Sequence, residues 1–191
     1  LPRFRRRGPM SSIWSLAMRK AVFALAALLA LPAQANEAQA SPVEIEPSLR
    51  QVGQAEFRYL FWDIFDASLY AAGQTFSWQA PFALSLEYRR DFSAEDLTKE
   101  TIKSLDRMTD WPQAELATFR TTLASCMANV RDGDRFTAVS PDADTAVLFL
   151  NGKERCRLEK SNIRRDYFSI WLSPNGDFPE ETRKLLGTAS P

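Results

Sequence analysis

Two aspartates three residues apart, Asp63 and Asp66, stand in the most aromatic stretch of the chain, FRYLFWDIFDASLYAA over residues 57–72. Paired carboxylates suggest acid–base chemistry, but on a strand side chains at i and i+3 point to opposite faces. The spacing therefore favours two separate groups, each bonded to a backbone amide or an arginine at a bulge or strand end. Arg58 and Arg90 are the candidates for holding a ligand carboxylate through a two-pronged guanidinium contact. The run Arg89-Arg90-Asp91 otherwise reads as a solvated strand end or a salt bridge. Tyr70, Tyr88 and Tyr167 are phenols that could donate to a ligand or simply pack in the core. The sequence has no histidine, which removes Ser-His-Asp and Cys-His nucleophiles and the usual zinc sets. No catalytic set, metal site or cofactor motif is expected. Cys126 and Cys156 either form a disulfide closing a loop of about thirty residues, contributing on the order of 3 kcal/mol, or are two small buried hydrophobes.

These residues need elements to place them. Read with a period of two, the aromatic stretch puts Leu60, Trp62, Ile64, Asp66, Ser68 and Tyr70 on one face and Phe61, Asp63, Phe65, Ala67 and Leu69 on the other. Both faces are largely apolar, so the expectation is one long strand, or two meeting at a bend near Asp66, buried on part of each side. Such a strand is either a central strand under helices or the wall of a ligand cavity. Trp62, Trp111 and Trp171 are expected in the core or between helix and sheet. Val43–Ile45 suggests a short first strand, and Phe82, Leu84, Leu86 and Tyr88 alternate as a half-buried strand.

Ser93 with Asp96 approximates a capping box, opening a helix with Leu97, Thr101, Ser104, Leu105 and Met108 on one face. A second helix, capped by Asp110 with Pro112 in its first turn, carries Leu116, Phe119, Leu123, Met127 and Val130 until Asp132-Gly133. Strands are expected over 135–140, 145–150 and 153–159, the last two joined by Asn151-Gly152, with a turn at 141–144. Ser161 or Asn162 opens a helix with Ile163, Tyr167, Ile170 and Trp171, and Asp177 or Pro179 opens a final one that Gly187 closes. Strands in blocks with inserted helices imply an α+β fold, an antiparallel sheet with helices mainly on one face.

The 191 residues suit one ordinary domain. Met18-Arg19-Lys20, the apolar run Ala21–Leu31 and Ala33-Gln34-Ala35 read as a secretory signal peptide, with the true start at Met10 or Met18. An uncleaved anchor is the rival reading; no later stretch is apolar enough to span a membrane. Residues 1–35 are thus expected to be removed, 36–49 to be a flexible lead-in and 50–187 a single domain, exported to the periplasm or beyond. The leader holds six of the 24 basic residues and none of the 24 acidic ones, leaving 18 against 24, a net charge of −6. An acidic domain without a basic patch is a poor partner for nucleic acid.

The string FWD-x-x-DA-x-LYA followed by YxRDFSAEDL, then VRDGDRFTAVS, the NG hairpin and YFSIWLSP, resembles the bacterial chalcone isomerase-like family, exported relatives of plant chalcone isomerase. The resemblance implies a large antiparallel sheet with a layer of helices on one face, an open-faced β-sandwich, and a cleft between the two layers. In plant enzymes of this family the cleft cyclises chalcones; in non-catalytic relatives it holds fatty acids. It also implies that a hydroxyl-bearing position falls at Phe65, the essential arginine near Gly53 between Arg50 and Arg58, a tyrosine and an asparagine at Leu97 and Ser104, and a late helical threonine at Ser169. Only Ser169 keeps a like residue, so cyclisation, which needs donors for a developing enolate oxygen, is not expected. The expected function is binding of a small lipophilic ligand such as a fatty acid by Arg58, Phe65, Tyr70, Tyr88, Arg90, Leu97, Ser104 and Ser169. The alternative, an isomerase or lyase acting on an unsaturated carbonyl compound, requires at least two of Tyr70, Tyr88 and Arg90 to converge on one pocket.

Overall fold

The computed structural model describes residues 45–59 and 61–188. The expected leader and signal peptide over 1–35 lie outside the described residues, as does most of the lead-in. Of the suggested strand at Val43–Ile45 only Ile45 is described, and it belongs to no strand. The described chain forms strands β1 (Arg50–Tyr59), β2 (Trp62–Ala71) and β3 (Phe82–Tyr88), then helices α1 (Ala94–Met108) and α2 (Gln113–Cys126). Strands β4 (Arg135–Asp142), β5 (Thr145–Leu150) and β6 (Lys153–Glu159) follow, and helices α3 (Ile163–Leu172) and α4 (Pro179–Leu185) end it. The strands form one sheet in chain order, each antiparallel to its neighbour. This is the expected α+β architecture.

The aromatic stretch folds differently from its expectation. Its first three residues end β1 and Trp62–Ala71 form β2, an antiparallel pair that sets Tyr59 against Trp62 and Phe57 against Phe65, so the stretch is shared between two strands and none bends at Asp66. No glycine, proline or Asn-Gly stands in the sequence between the two strands, so pattern reading had no signal for the break. The pairing stacks Phe57 on Phe65, with ring centroids 4.8 Å apart, and leaves Phe61 97% exposed and Trp62 57% exposed. Trp62 is therefore not a core residue. Asp66 lies mid-strand, abreast of Glu56 on β1 and Glu87 on β3. Arginines offset this row of carboxylates: Arg58 bonds Glu56 at 2.7 Å, Arg89 holds Asp66 and reaches Glu87 at 3.1 Å, and Arg135 bonds Glu87 at 2.7 Å. Asp63 bonds Arg58 at 2.6 Å. The two aspartates thus go to separate arginines.

The helices follow their local chemistry. The Ser93 hydroxyl oxygen accepts from the Asp96 amide at 3.0 Å while the hydroxyl donates to the Asp96 carboxylate at 2.6 Å. Helix α2 begins after Pro112 rather than at Asp110 and stops at Cys126, earlier than the apolar stripe suggested. Val130 lies beyond it, in an isolated bridge to Phe92. Strand β4 runs on to Asp142, so its turn is confined to residues 143–144. Asn151 and Gly152 take φ values of 51° and 79°, the paired positive values that a two-residue hairpin of this type requires.

All four helices contribute to one apolar cluster on one face of the sheet, where Phe57, Leu69, Phe82, Leu84, Leu105, Leu123, Leu148, Leu158, Phe168, Leu172 and Leu185 are nearly or fully buried. A smaller cluster of Leu49, Ala83 and Val139 lies apart from it, with Tyr70 and Phe149 packed against it. Three devices fix the helices. Cys126 at the end of α2 is disulfide-bonded to Cys156 on β6, with Cα atoms 5.4 Å apart. Helix α4 lies so close to β1 that a Cβ on Gly53 would sit 1.9 Å from the Leu185 carbonyl oxygen. Buried Arg164 on α3 donates to the Ser140 hydroxyl at 2.8 Å, the Trp78 carbonyl at 3.0 Å and the Ser140 carbonyl at 3.3 Å. Replacing both cysteines by serine is expected to lower the unfolding free energy by about 3 kcal/mol, measured by denaturant titration. Gly53→Ala is expected to cost about 3 kcal/mol, because the opposing atoms are backbone and have no rotamer to move into.

Candidate functional site

A cavity of about 440 Å³ lies between the sheet and helices α1 and α3. Its floor comes from Ile64 and Phe65 of β2, Leu84, Leu86 and Tyr88 of β3, Phe136 and Ala138 of β4, and Leu148 of β5. Leu97, Thr101 and Ser104 of α1 and Tyr167, Ile170 and Trp171 of α3 line it from the helix side, and Asp96 and Glu100 add exposed carboxylates. The cause is legible in α1. Residues at i, i+4 and i+7 share a helix face, and on the cavity face the leucine at 97 is followed by two short side chains, Thr101 and Ser104. The Thr101 hydroxyl also donates to the Leu97 carbonyl at 2.8 Å, so its polar atom serves the helix.

Two phenols stand out against this apolar wall. Tyr88 is 6% exposed and Tyr167 4% exposed. Their rings are held edge-on: Tyr88 against Phe65 at 6.0 Å between centroids, and Tyr167 against Trp171 at 5.4 Å. Among the described residues neither phenol has a hydrogen-bonding partner, yet every described side-chain nitrogen or oxygen that is sealed from solvent has one. Both hydroxyls must therefore open onto the cavity. Burial pushes both phenols above their ordinary value near 10, and the neighbouring Tyr167 raises Tyr88 further. They are neutral donors at any physiological pH.

Of the residues singled out from the sequence as ligand contacts, Phe65, Tyr88, Leu97, Ser104 and Tyr167 line the cavity. Arg58, Tyr70, Arg90 and Ser169 do not. Tyr70 packs against the smaller Leu49–Ala83–Val139 cluster. Arg58 is tied to Glu56 and Asp63, and Arg90 stacks over the Trp62 ring at 4.3 Å; both belong to the exposed hairpin end. Ser169 is two residues from Tyr167, hence on another side of α3. The arginine expected near Gly53 has no room for a side chain there, since α4 occupies that space. The isomerase or lyase reading required at least two of Tyr70, Tyr88 and Arg90 in one pocket, and only Tyr88 lines the cavity. The contributions of Ile64, Ile170, Trp171 and Phe178 were not foreseen; the spacing of Tyr167, Ile170 and Trp171 on one helix was the available signal.

Residues 46–182 match the chalcone isomerase-like family. The chain belongs to that family. No curated protein matches it. Among solved structures it is similar to an Arabidopsis thaliana fatty-acid binding protein, with a TM-score of 0.60 and 8% sequence identity over 78% of this chain and 90% of that one. An identity this low establishes the shared fold alone.

The raised phenols carry a pH dependence with a definite sign. An acid whose folded-state value exceeds its unfolded one stabilises fully below the unfolded value, and that contribution is lost as pH rises further. Stability is expected to fall as pH climbs past about 10, and Tyr88→Phe with Tyr167→Phe should flatten that fall. Denaturant titration across alkaline pH checks it, alongside phenolate absorbance, in which these two tyrosines should stay silent until the chain unfolds.

Proposed function

We propose that this chain is an exported, non-catalytic binding protein that takes a small lipophilic molecule into the cavity between its sheet and helices α1 and α3. The observation that carries this reading is the cavity itself: about 440 Å³, walled largely by aliphatic and aromatic side chains, with two phenols whose hydroxyls open onto it and have no partner among the described residues. Its volume lies within the usual span of small-molecule sites, and an apolar wall with a few polar groups is their usual composition. The structural neighbour described as a fatty-acid binding protein supports a lipophilic ligand in this fold. Export is supported by the signal-peptide pattern in residues 18–35 and by the Cys126–Cys156 disulfide, a bond that persists in oxidising compartments.

Native mass spectrometry of gently purified protein should show adducts of lipid mass, and the solvatochromic dye Nile red should bind and be displaced by extracted lipid. Ser104→Phe, which places a ring in the cavity, should abolish dye binding while leaving stability unchanged or raised by about 1 kcal/mol. A chain that carries no adduct and binds no dye, or a variant that binds dye as well as the parent, would contradict the reading.

A further inference from the structure

We infer that the cavity selects an uncharged lipophile bearing a hydrogen-bond acceptor, such as an ester or ketone carbonyl, over a fatty carboxylate, with Tyr88 and Tyr167 donating to that acceptor. This rests on the binding role proposed above and names the chemical class of ligand.

The argument is one of charge. A carboxylate taken into an apolar site keeps its charge only if a cation or several strong donors replace its water. Among the described residues lining this cavity there is no arginine and no lysine. Nearby guanidinium groups are engaged elsewhere: Arg89 with Asp66 and Glu87, Arg90 over Trp62, Arg107 with Asp177 at 2.5 Å. The charged side chains that do line the cavity are acids. Asp96 accepts from Ser93, and Glu100 is paired with Lys103 at 3.1 Å. They supply no countercharge, so a ligand anion meets carboxylates and no cation among the described residues lining the cavity.

A neutral acceptor meets the opposite situation. Two phenols, each more than nine-tenths buried, present unpartnered hydroxyls to the cavity. Each has one O–H to donate, and leaving it unmade is unfavourable in a dry site. Tyr167 is close enough for its phenol to influence that of Tyr88. Two neighbouring donors that face the same apolar space suit one carbonyl oxygen, which has two lone pairs, and the remaining wall suits a hydrocarbon chain or ring.

The experiment is displacement of Nile red by four molecules sharing a twelve-carbon chain: methyl laurate, lauryl alcohol, sodium laurate and dodecane. Methyl laurate is expected to bind at least tenfold more tightly than laurate at neutral pH, and acidification through the ordinary carboxylate range should close the gap as laurate takes up its proton. Tyr88→Phe and Tyr167→Phe should each weaken methyl laurate by roughly three- to tenfold and leave dodecane unchanged, a split that a merely structural role for the rings would not produce. With the unaltered chain, the infrared carbonyl stretch of bound methyl laurate should move to lower frequency than in hexane. Laurate binding as tightly as its ester at neutral pH, or an unshifted carbonyl, overturns the inference while leaving lipophile binding in place. Failure of the dye and all four chains to bind overturns both.

Discussion

The helix-facing side of β2 to β5 presents Phe65, Leu84, Leu86, Tyr88, Phe136, Ala138 and Leu148, and removing that surface from water is what drives the helices onto the sheet. Coverage is complete where α3 and α4 press Phe168, Leu172 and Leu185 down, and incomplete under α1. There the helix offers Leu105 to the core but follows Leu97 with the short Thr101 and Ser104 on the cavity side. Close packing is the rule in protein interiors, so a space of this size beside a well-filled core is a property of those particular side chains.

A cavity persists only if the layers are kept from closing on it. The disulfide anchors the end of α2 to β6, Arg164 fastens α3 to β4 and to the Trp78 carbonyl, and α4 lies backbone-to-backbone on Gly53. Each attachment lies outside the cavity lining. The helix layer is therefore fixed by contacts that a ligand does not disturb, while the lining residues need only be apolar and suitably spaced. The same contact at Gly53 explains why an arginine has no place on that part of β1: the strand gave its side-chain space to α4.

Much of the fold was legible because its signals are local. The Ser93 cap, the alternation of Phe82 to Tyr88 and the Asn151-Gly152 turn are each decided by residues close in sequence. The errors came where tertiary packing decided. The sequence between β1 and β2 carries no turn signal, and their pairing rests on cross-strand contacts such as Phe57 with Phe65. Helix α2 ends at Cys126, where the chain turns extended at Met127 and is tied to a distant strand, features that an apolar stripe cannot reveal. The site was half legible. Phe65, Leu97 and Ser104 were found from the family pattern and Tyr88 and Tyr167 as phenols, but Arg58 and Arg90 were also proposed for their chemistry, and their acidic neighbours Glu56 and Asp63 and the exposed Trp62 claim them instead.

The central claim is that two unpaired phenols in an apolar cavity exist for a ligand. A crystal structure of protein purified without stripping lipid tests it most directly. The account predicts continuous density along the cavity, with a polar atom of the bound molecule at hydrogen-bonding distance from the hydroxyls of both Tyr88 and Tyr167. A cavity closed by its own side chains, or one in which the two phenols bond to each other or to protein groups, would contradict it.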